Sequence, residues 1–145
     1  ASETDLAWKV PPAWKEQPAS GMRLATFIIP AVQGGQAELS IVSFPGTAGG
    51  DFDNINRWRG QMELEPLADE SALPKNSETL KTRAGLLRTV DLQGMNGQKG
   101  TRLLAAILSN GEKTWFFKLT GPRAAVDSAK SSYLDFLRSL KNAAQ

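Results

Sequence analysis

The side chains that could act as nucleophiles in this 145-residue sequence lack the partners that nucleophilic catalysis requires. Hydroxyl groups occur close together at Ser40, Ser43 and Thr47, but the chain has no histidine to serve as their general base. It also has no cysteine, which removes thiolate catalysis, disulfides and cysteine-ligated zinc. No Ser-x-x-Lys segment stands at a predicted helix start. The sequence therefore predicts no catalytic nucleophile.

Oxygen-bearing side chains cluster at Asp51, Asp53, Asn54 and Asn56, and hard cations such as calcium bind several oxygens. Counting from Asp51, however, the glycine position of a calcium-binding loop holds Asn56 and the closing glutamate position holds Met62. We expect instead that Asp51 or Asp53 caps the first turn of a helix. No metal site is predicted.

Two further chemical patterns also fail. Glu63 and Glu65 are one residue apart, so they would face one cleft as a glycosidase pair only if that stretch were a strand. The glycine-rich residues 94–100 precede an apolar run rather than the Gly-Lys-Ser/Thr helix start of a phosphate-binding loop. The sequence thus predicts no catalytic residue and no cofactor, and it favours a protein that is not an enzyme.

The most specific stretch, residues 44–62, joins a strand to a helix through a glycine loop. Residues 37–44 alternate in strand fashion and end at Pro45-Gly46. Gly49-Gly50 then allows a sharp turn, and an amphipathic helix is predicted from Asp51 to Met62. Glycines, amides, two arginines and one tryptophan are concentrated here, and arginine and tryptophan often carry binding energy. We predict a contact surface formed by Gly49, Gly50, Asn54, Asn56, Arg57, Trp58 and Gln61.

The predicted helix places its two arginines differently. Its apolar face, about 120° wide at roughly 100° per residue, is formed by Phe52, Ile55, Trp58 and Met62. Arg59 falls inside this arc, and a covered arginine needs a carboxylate or several carbonyl groups as partners. We therefore expect Arg59 to be structural, bracing the glycine loop or pairing with an acid, and Arg57 to be exposed.

The remaining elements predict an α+β fold. Strand patterns cover residues 22–29, 37–44, 80–83, 86–92, 101–108 and 113–120, with turns at Ala84-Gly85 and Asn110-Gly111. The apolar run 101–108 is expected to be a central strand covered on both faces. A last helix after Pro122 carries an apolar stripe from Val126 to Leu140. We predict an antiparallel meander sheet with a short inserted helix and a long C-terminal helix on its faces, a docked Trp8 and Trp14 segment, and a loop or broken helix over residues 63–76.

Charge and length limit the partners that the sequence predicts. Residues 1–70 carry 5 basic against 10 acidic side chains, and residues 71–145 carry 12 against 5. The basic ones are scattered along strands, so we expect solvated sheet positions rather than a nucleic-acid groove: Lys75, Lys81, Arg83, Arg88, Lys99, Arg102, Lys113 and Lys118. No apolar run reaches the roughly eighteen residues that span a bilayer. We expect residues 1–7 to be a tether or processed N-terminus and residues 8–145 to form one domain.

Several motifs resemble a known fold family. The opening Trp8 and Pro11, the element order and the closing segment Phe117-Lys-Leu-Thr-Gly-Pro122 resemble the PsbP-like fold. Arg23-x-Ala-x-Phe27, Phe44-Pro-Gly46 and Asn54-x-Asn-Arg-Trp-Arg-x-Gln61 are similar to uncharacterised bacterial envelope proteins of the lipoprotein type. The resemblance implies a PsbP-like α/β/α sandwich at a periplasmic or envelope location, and it allows a lipid anchor ahead of the given chain. It supplies no catalytic residues to transfer.

Two functions remain open at this stage. The first is a non-enzymatic binding or accessory module of the cell envelope that contacts an envelope protein or other component through residues 49–61. The second is a small-ligand receptor or enzyme with a cleft under the same loop and helix. A deep pocket with perturbed acids would favour the second, and a flat or filled surface would favour the first.

Overall fold

A seven-stranded antiparallel sheet with one helix on each face forms the body of the protein. The computed structural model describes residues 6–31 and 35–143. Short 3₁₀ turns lie at Glu70–Ala72 and Asn96–Gln98. The strands and helices are β1 (Leu6–Ala7), β2 (Lys15–Gln17), β3 (Arg23–Pro30), β4 (Gln36–Pro45), α1 (Gly50–Gln61), β5 (Glu78–Thr82), β6 (Gly85–Gln93), β7 (Thr101–Asn110), β8 (Lys113–Pro122), α2 (Arg123–Arg138) and β9 (Lys141–Asn142).

The strand order is β2-β3-β4-β8-β7-β6-β5, so the sheet consists of two meanders joined side by side. The first is β2-β3-β4 and the second is β5-β6-β7-β8. They meet where β4 pairs with β8, for example at Leu39 opposite Leu119. After β4 the chain passes through α1 to the opposite edge of the sheet and enters β5 there. The predicted α+β class with an antiparallel sheet is confirmed.

The strand β7 is covered on both faces, as its continuous apolar sequence predicted. Alternate side chains point to opposite sides of a strand. Leu104, Ala106 and Leu108 accordingly join the core under α2, and three others join the core under α1: Leu103, Ala105 and Ile107.

The core under α2 contains most of the aromatic side chains. Phe136 of α2 lies with its ring centroid 5.8 Å from that of Trp8 and 5.2 Å from that of Trp14. The buried Tyr133 donates a hydrogen bond from its hydroxyl to the carbonyl of Phe117, at 2.8 Å. Burial also raises the pKa of this phenol. The predicted packing stripe is confirmed by the burial of Val126, Ala129, Tyr133, Phe136, Leu137 and Leu140.

The core under α1 is smaller. Trp58 packs edge-on against Phe116 with ring centroids 5.4 Å apart. The connecting segment between α1 and β5 contributes Leu67 and Leu73 to the same core. The 3₁₀ turn in this segment fits the predicted loop or broken helix.

The folded part of the chain begins before position 8. Leu6 is buried, and β1 pairs with β9 at the opposite end of the chain. Residues 1–5 of the predicted tether lie outside the described residues.

Candidate functional site

The glycine loop before α1 is closed from the inside by Asn54. Its amide donates hydrogen bonds to the carbonyls of Ala48, at 2.8 Å, and Gly50, at 2.7 Å. Ala48, Gly49 and Gly50 have left-handed backbones with φ of 52°, 92° and 86°, which glycine adopts most easily. Asn54 is only 3% exposed, so its side chain fills the space under the loop.

The prediction that Asp51 or Asp53 caps this helix is wrong. The capping residue is Gly49, which has no side chain to accept a hydrogen bond from the first turn, and neither aspartate forms a capping bond. The left-handed glycines start the helix at Gly50, so both aspartates already lie within its first turn. There they interact favourably with the helix dipole, and the Asp51 carboxylate lies 2.9 Å from Nε of Arg88.

Two other predicted contact residues are also held inside the protein. Asn56 accepts a hydrogen bond from the Leu67 amide at 2.7 Å and donates one to the Leu67 carbonyl at 3.3 Å. Trp58 is 1% exposed. Asn54, Asn56 and Trp58 therefore hold the loop, the connecting segment and the core, while Arg57 and Gln61 of α1 and Gly49 of the loop are exposed.

Arg59 is half-buried, and within residues 6–31 and 35–143 it bonds to neither the glycine loop nor a carboxylate. Its Nε donates to the carbonyl of Glu65 at 2.7 Å. The chain reverses after α1 at Glu63, where φ is 58°, and this reversal brings the Glu65 carbonyl back to the last turn of the helix. The expected partner was therefore wrong, whereas the structural role of Arg59 stays a prediction.

Beside α1 lies an uncovered part of the sheet, which we call the α1 groove. The core under α1 includes side chains of β6, β7, the first half of β8 and the second half of β4, where Val42 and Phe44 pack against it. Side chains from the start of β3, the first half of β4 and the end of β8 instead line the groove. The groove has a volume of about 360 Å³ at the C-terminal end of the helix. Its polar lining comprises Arg23, Glu38, Ser40, Gln61, Gln98, Thr101, Arg102, Lys118 and Thr120.

Lys118 lies at the centre of the charges in the α1 groove. Its Nζ donates to Oε1 of Gln61 at 2.8 Å. Burial lowers the pKa of Lys118, and the positive charges of Arg57 and Arg23 lower it further. Arg23 lies 3.4 Å from the carboxylate of Glu38. Neither Lys118 nor Arg57 forms an ion pair with any residue of the described ranges.

Arg57 extends along the rim above two aromatic rings. Its guanidinium carbon lies 5.9 Å from the ring centroid of Trp58 and 6.0 Å from that of Phe116. Such stacking holds an arginine in place without neutralising its charge. The exposed side of α1 therefore presents an ordered cation to solvent.

A second charged cluster, which sequence reasoning missed, is neutralised internally. Arg102 is 11% exposed and lies 2.5 Å from both the Asp91 and the Asp127 carboxylates. Hydrogen bonding from Arg102 lowers the pKa of Asp91, with a smaller contribution from Lys130. The two carboxylates raise the pKa of Arg102. This cluster ties β6 and β7 to α2.

The expectation of solvated basic side chains holds for Lys75, Lys81, Arg83 and Lys99, which are exposed. It is wrong for the other four, because Arg88, Arg102, Lys113 and Lys118 are half-buried. The side chains of Arg88, Arg102 and Lys118 also form hydrogen bonds. The available signal for Lys118 was the aromatic Phe116 two residues earlier, since residues i and i+2 of a strand lie on the same face and share its surroundings.

The described ranges contain no group of three or more acidic residues placed to hold a metal ion. They also contain no helix long and apolar enough to cross a membrane. A cavity of about 450 Å³ opens at the free edge of β6, with Arg59, Lys75 and Lys130 on its walls.

Layer order and topology define the class: the chain has a PsbP-like α+β fold. The solution structure of cyanobacterial PsbP (CyanoP) from Synechocystis sp. PCC 6803 matches with a TM-score of 0.57 and 14% identity, over 95% of this chain and 92% of that one. LpqN of Mycobacterium tuberculosis, described as involved in cell envelope biogenesis, matches with a TM-score of 0.57 and 9% identity, over 94% and 82%.

A crystal structure from Bacteroides thetaiotaomicron VPI-5482 matches with a TM-score of 0.56 and 15% identity over 95% of this chain. This chain spans only 45% of that protein. No family model matches the sequence, and no curated protein matches it. At these identities the similarity establishes the fold and leaves the function to be argued from the site.

Proposed function

We propose that this protein is a non-enzymatic binding or accessory module of the bacterial cell envelope, and that it contacts its partner through the α1 groove. The observation that carries the proposal is the uncovered part of the sheet beside α1. Polar side chains line it, and Arg57 and Lys118 bring positive charges that the described residues do not neutralise. Gly49, Arg57 and Gln61 extend this surface along the exposed side of the helix.

The alternative, a ligand receptor or enzyme with a cleft under residues 49–61, has less support. Asn54 fills the space under the loop, and Ile55 is buried in the core beneath the helix. The two carboxyl groups whose pKa is lowered, Asp91 by Arg102 and Asp69 by Ser71, both lie outside residues 49–61. These features favour a recognition surface over a catalytic cleft.

The proposed location rests on two similarities. The sequence motifs resemble those of bacterial envelope lipoproteins, and the structural neighbour LpqN is described as involved in cell envelope biogenesis. We infer a periplasmic or envelope-associated domain over residues 8–145, extended by Leu6 and Ala7, and this location allows a lipid anchor ahead of the given chain.

Chemical cross-linking in the cells that produce the protein tests this proposal. The double variant Arg57→Ala/Gln61→Ala should lose the partners that the wild type captures. Arg138→Ala is a matched control, because this exposed arginine lies at the end of α2 on the opposite face. Capture of the same partners by the double variant would contradict the proposed surface. Turnover of a peptide, glycan or phosphoester by the purified protein would contradict the non-enzymatic function.

A further inference from the structure

The charges around the α1 groove do not balance. Three cations converge there, namely Arg23, Arg57 and Lys118. Glu38 is the one carboxylate on the described lining, and it pairs with Arg23. The C-terminus of α1 adds a partial negative charge of roughly half a unit. One to two positive charges therefore remain without compensation.

Arg102 also borders the groove but does not add to this excess. Its guanidinium already contacts the carboxylates of Asp91 and Asp127. Arg102 is a structural cation with little exposure to solvent, and two carboxylates lie at hydrogen-bond distance from it. Among the described residues, the hydrogen-bond acceptor for Lys118 is the neutral amide oxygen of Gln61.

An ammonium group that has lost part of its hydration and faces other cations is unfavourable in the free protein. A bound anion would remove this cost and would form charge-assisted hydrogen bonds, which are the stronger kind. An anion bound in the groove would therefore supply the negative charge that the described residues do not.

Neutral donors surround the same position. On the sheet, Ser40 is the register partner of Lys118 and Thr120 is the next residue on the same face of β8. No described residue forms a hydrogen bond to either hydroxyl. The Gln61 amide gives its oxygen to Lys118, which leaves its N–H groups to donate. Several donors that approach one point from different directions suit a tetrahedral oxyanion, which has more acceptor oxygens than a carboxylate. The arginine fork can bind either group.

We propose that the α1 groove binds a phosphate group, with Lys118 as its central contact and Arg57 and Arg23 at its sides. This inference rests on the binding function proposed for the same surface. The volume of about 360 Å³ lies near the lower end of small-ligand sites, which begin at roughly 300 Å³. The phosphate would then belong to a larger molecule, either a phospholipid headgroup or a soluble phosphorylated compound.

The test is an NMR titration of protein with ¹³C-labelled lysine at constant ionic strength. Inorganic phosphate should give saturable shifts at the Ser40, Gln61 and Thr120 amides and should raise the pKa of Lys118, because the anion favours the charged amine. Lys118→Met should weaken binding about tenfold or more, while Arg138→Ala should bind as the wild type does. Absence of saturation, equal binding by Lys118→Met, or equal binding of acetate would overturn the proposal.

Vesicles separate the two sources. Sedimentation of the wild type, but not of Lys118→Met, with phosphatidylglycerol vesicles would assign the site to a headgroup. Binding of glycerol phosphate without sedimentation would assign it to a soluble ligand. Failure to bind phosphate together with partners lost in the cross-linking of Arg57→Ala/Gln61→Ala would overturn the phosphate alone. Phosphate binding with unchanged partners would overturn only the proposed envelope contact.

Discussion

The two faces of the sheet are covered to different extents. On one face, α2 and the two N-terminal tryptophans bury a continuous apolar surface around Phe136. On the other, the shorter α1 covers only part, and Ser40, Lys118 and Thr120 remain in an open groove. We infer that stability depends mainly on the α2 face and recognition on the α1 face. Substitutions on the α2 face should therefore mainly reduce stability, and substitutions on the exposed α1 face should mainly reduce binding.

The largest effect is expected from Phe136→Ala on the α2 face. This side chain is 0% exposed, and its ring contacts those of Trp8, Trp14 and Phe117. Removing it loses transfer free energy and leaves a cavity, which together cost about 3 to 5 kcal/mol in the free energy of unfolding. Urea denaturation measures this cost. Leu86→Ala is the control, because Leu86 is 58% exposed and should change stability little. A cost below about 1 kcal/mol for Phe136→Ala would show that the core is misplaced.

Next in size is Asn54→Ala, which tests whether the α1 face also contains a structural part. The substitution leaves the carbonyls of Ala48 and Gly50 without their buried donor. We expect a loss of about 1 to 3 kcal/mol by urea denaturation. Asp53→Ala, one residue earlier and exposed, should stay within about 0.5 kcal/mol of the wild type. Equal stability of the two variants would mean that Asn54 is available for contact after all.

Arg102→Met should have a smaller effect that depends on pH. The lost contacts to Asp91 and Asp127 cost about 1 to 2 kcal/mol at pH 7, since both carboxylates are partly exposed. The pKa of Asp91 is lower in the folded than in the unfolded state. Its contribution is therefore complete above the unfolded value of about 3.9 and is lost as the pH falls through the folded value.

Urea denaturation of the wild type and Arg102→Met from pH 7 down to pH 3 measures this dependence. The two stabilities should converge toward the acid end of the range. A difference that stays constant with pH would assign the effect to packing of the arginine stem.

The smallest effects concern the two arginines of α1. Arg59→Ala removes one hydrogen bond to the Glu65 carbonyl and should cost about 1 kcal/mol. Arg57→Ala should change stability by less than about 0.5 kcal/mol, because Arg57 is exposed. Thermal denaturation compares them directly. If Arg57→Ala lowers thermal stability as much as Arg59→Ala does, Arg57 is a structural residue like Arg59 and not only a contact residue.

The sequence was sufficient for elements whose pattern is local. The run 103–108 fixes a strand buried on both faces, and the stripe through Tyr133 and Phe136 fixes the packing side of α2. The Gly49-Gly50 pair located the turn before α1 correctly, because only glycine takes that backbone at low cost.

The sequence was insufficient where the role of a residue depends on distant partners. The sequence predicted Asn54 as a contact residue on the surface. The structure shows that the glycine loop folds over its side chain. Arg102 and Lys118 are both basic residues of sheet strands, but they lie on opposite faces of the sheet. Arg102 meets carboxylates from β6 and α2, whereas Lys118 meets an amide from α1. The crossover from β4 to β5 places Gln61 beside Lys118, and the periodicity of a strand holds no information about that path.

The pairing of β4 with β8 also has a kinetic consequence. The other ladders of the seven-stranded sheet join strands that are consecutive in the chain. The β4–β8 ladder instead pairs residues that are far apart in the sequence, such as Glu38 and Thr120. Loop closure over longer segments costs more entropy and slows folding. The β5 to β8 meander should therefore form first, with β3 and β4 docking onto β8 as the late event. Pulse-labelling hydrogen exchange during refolding should show β6 and β7 amides protected before those that link β4 to β8, and the reverse order would contradict this sequence of events.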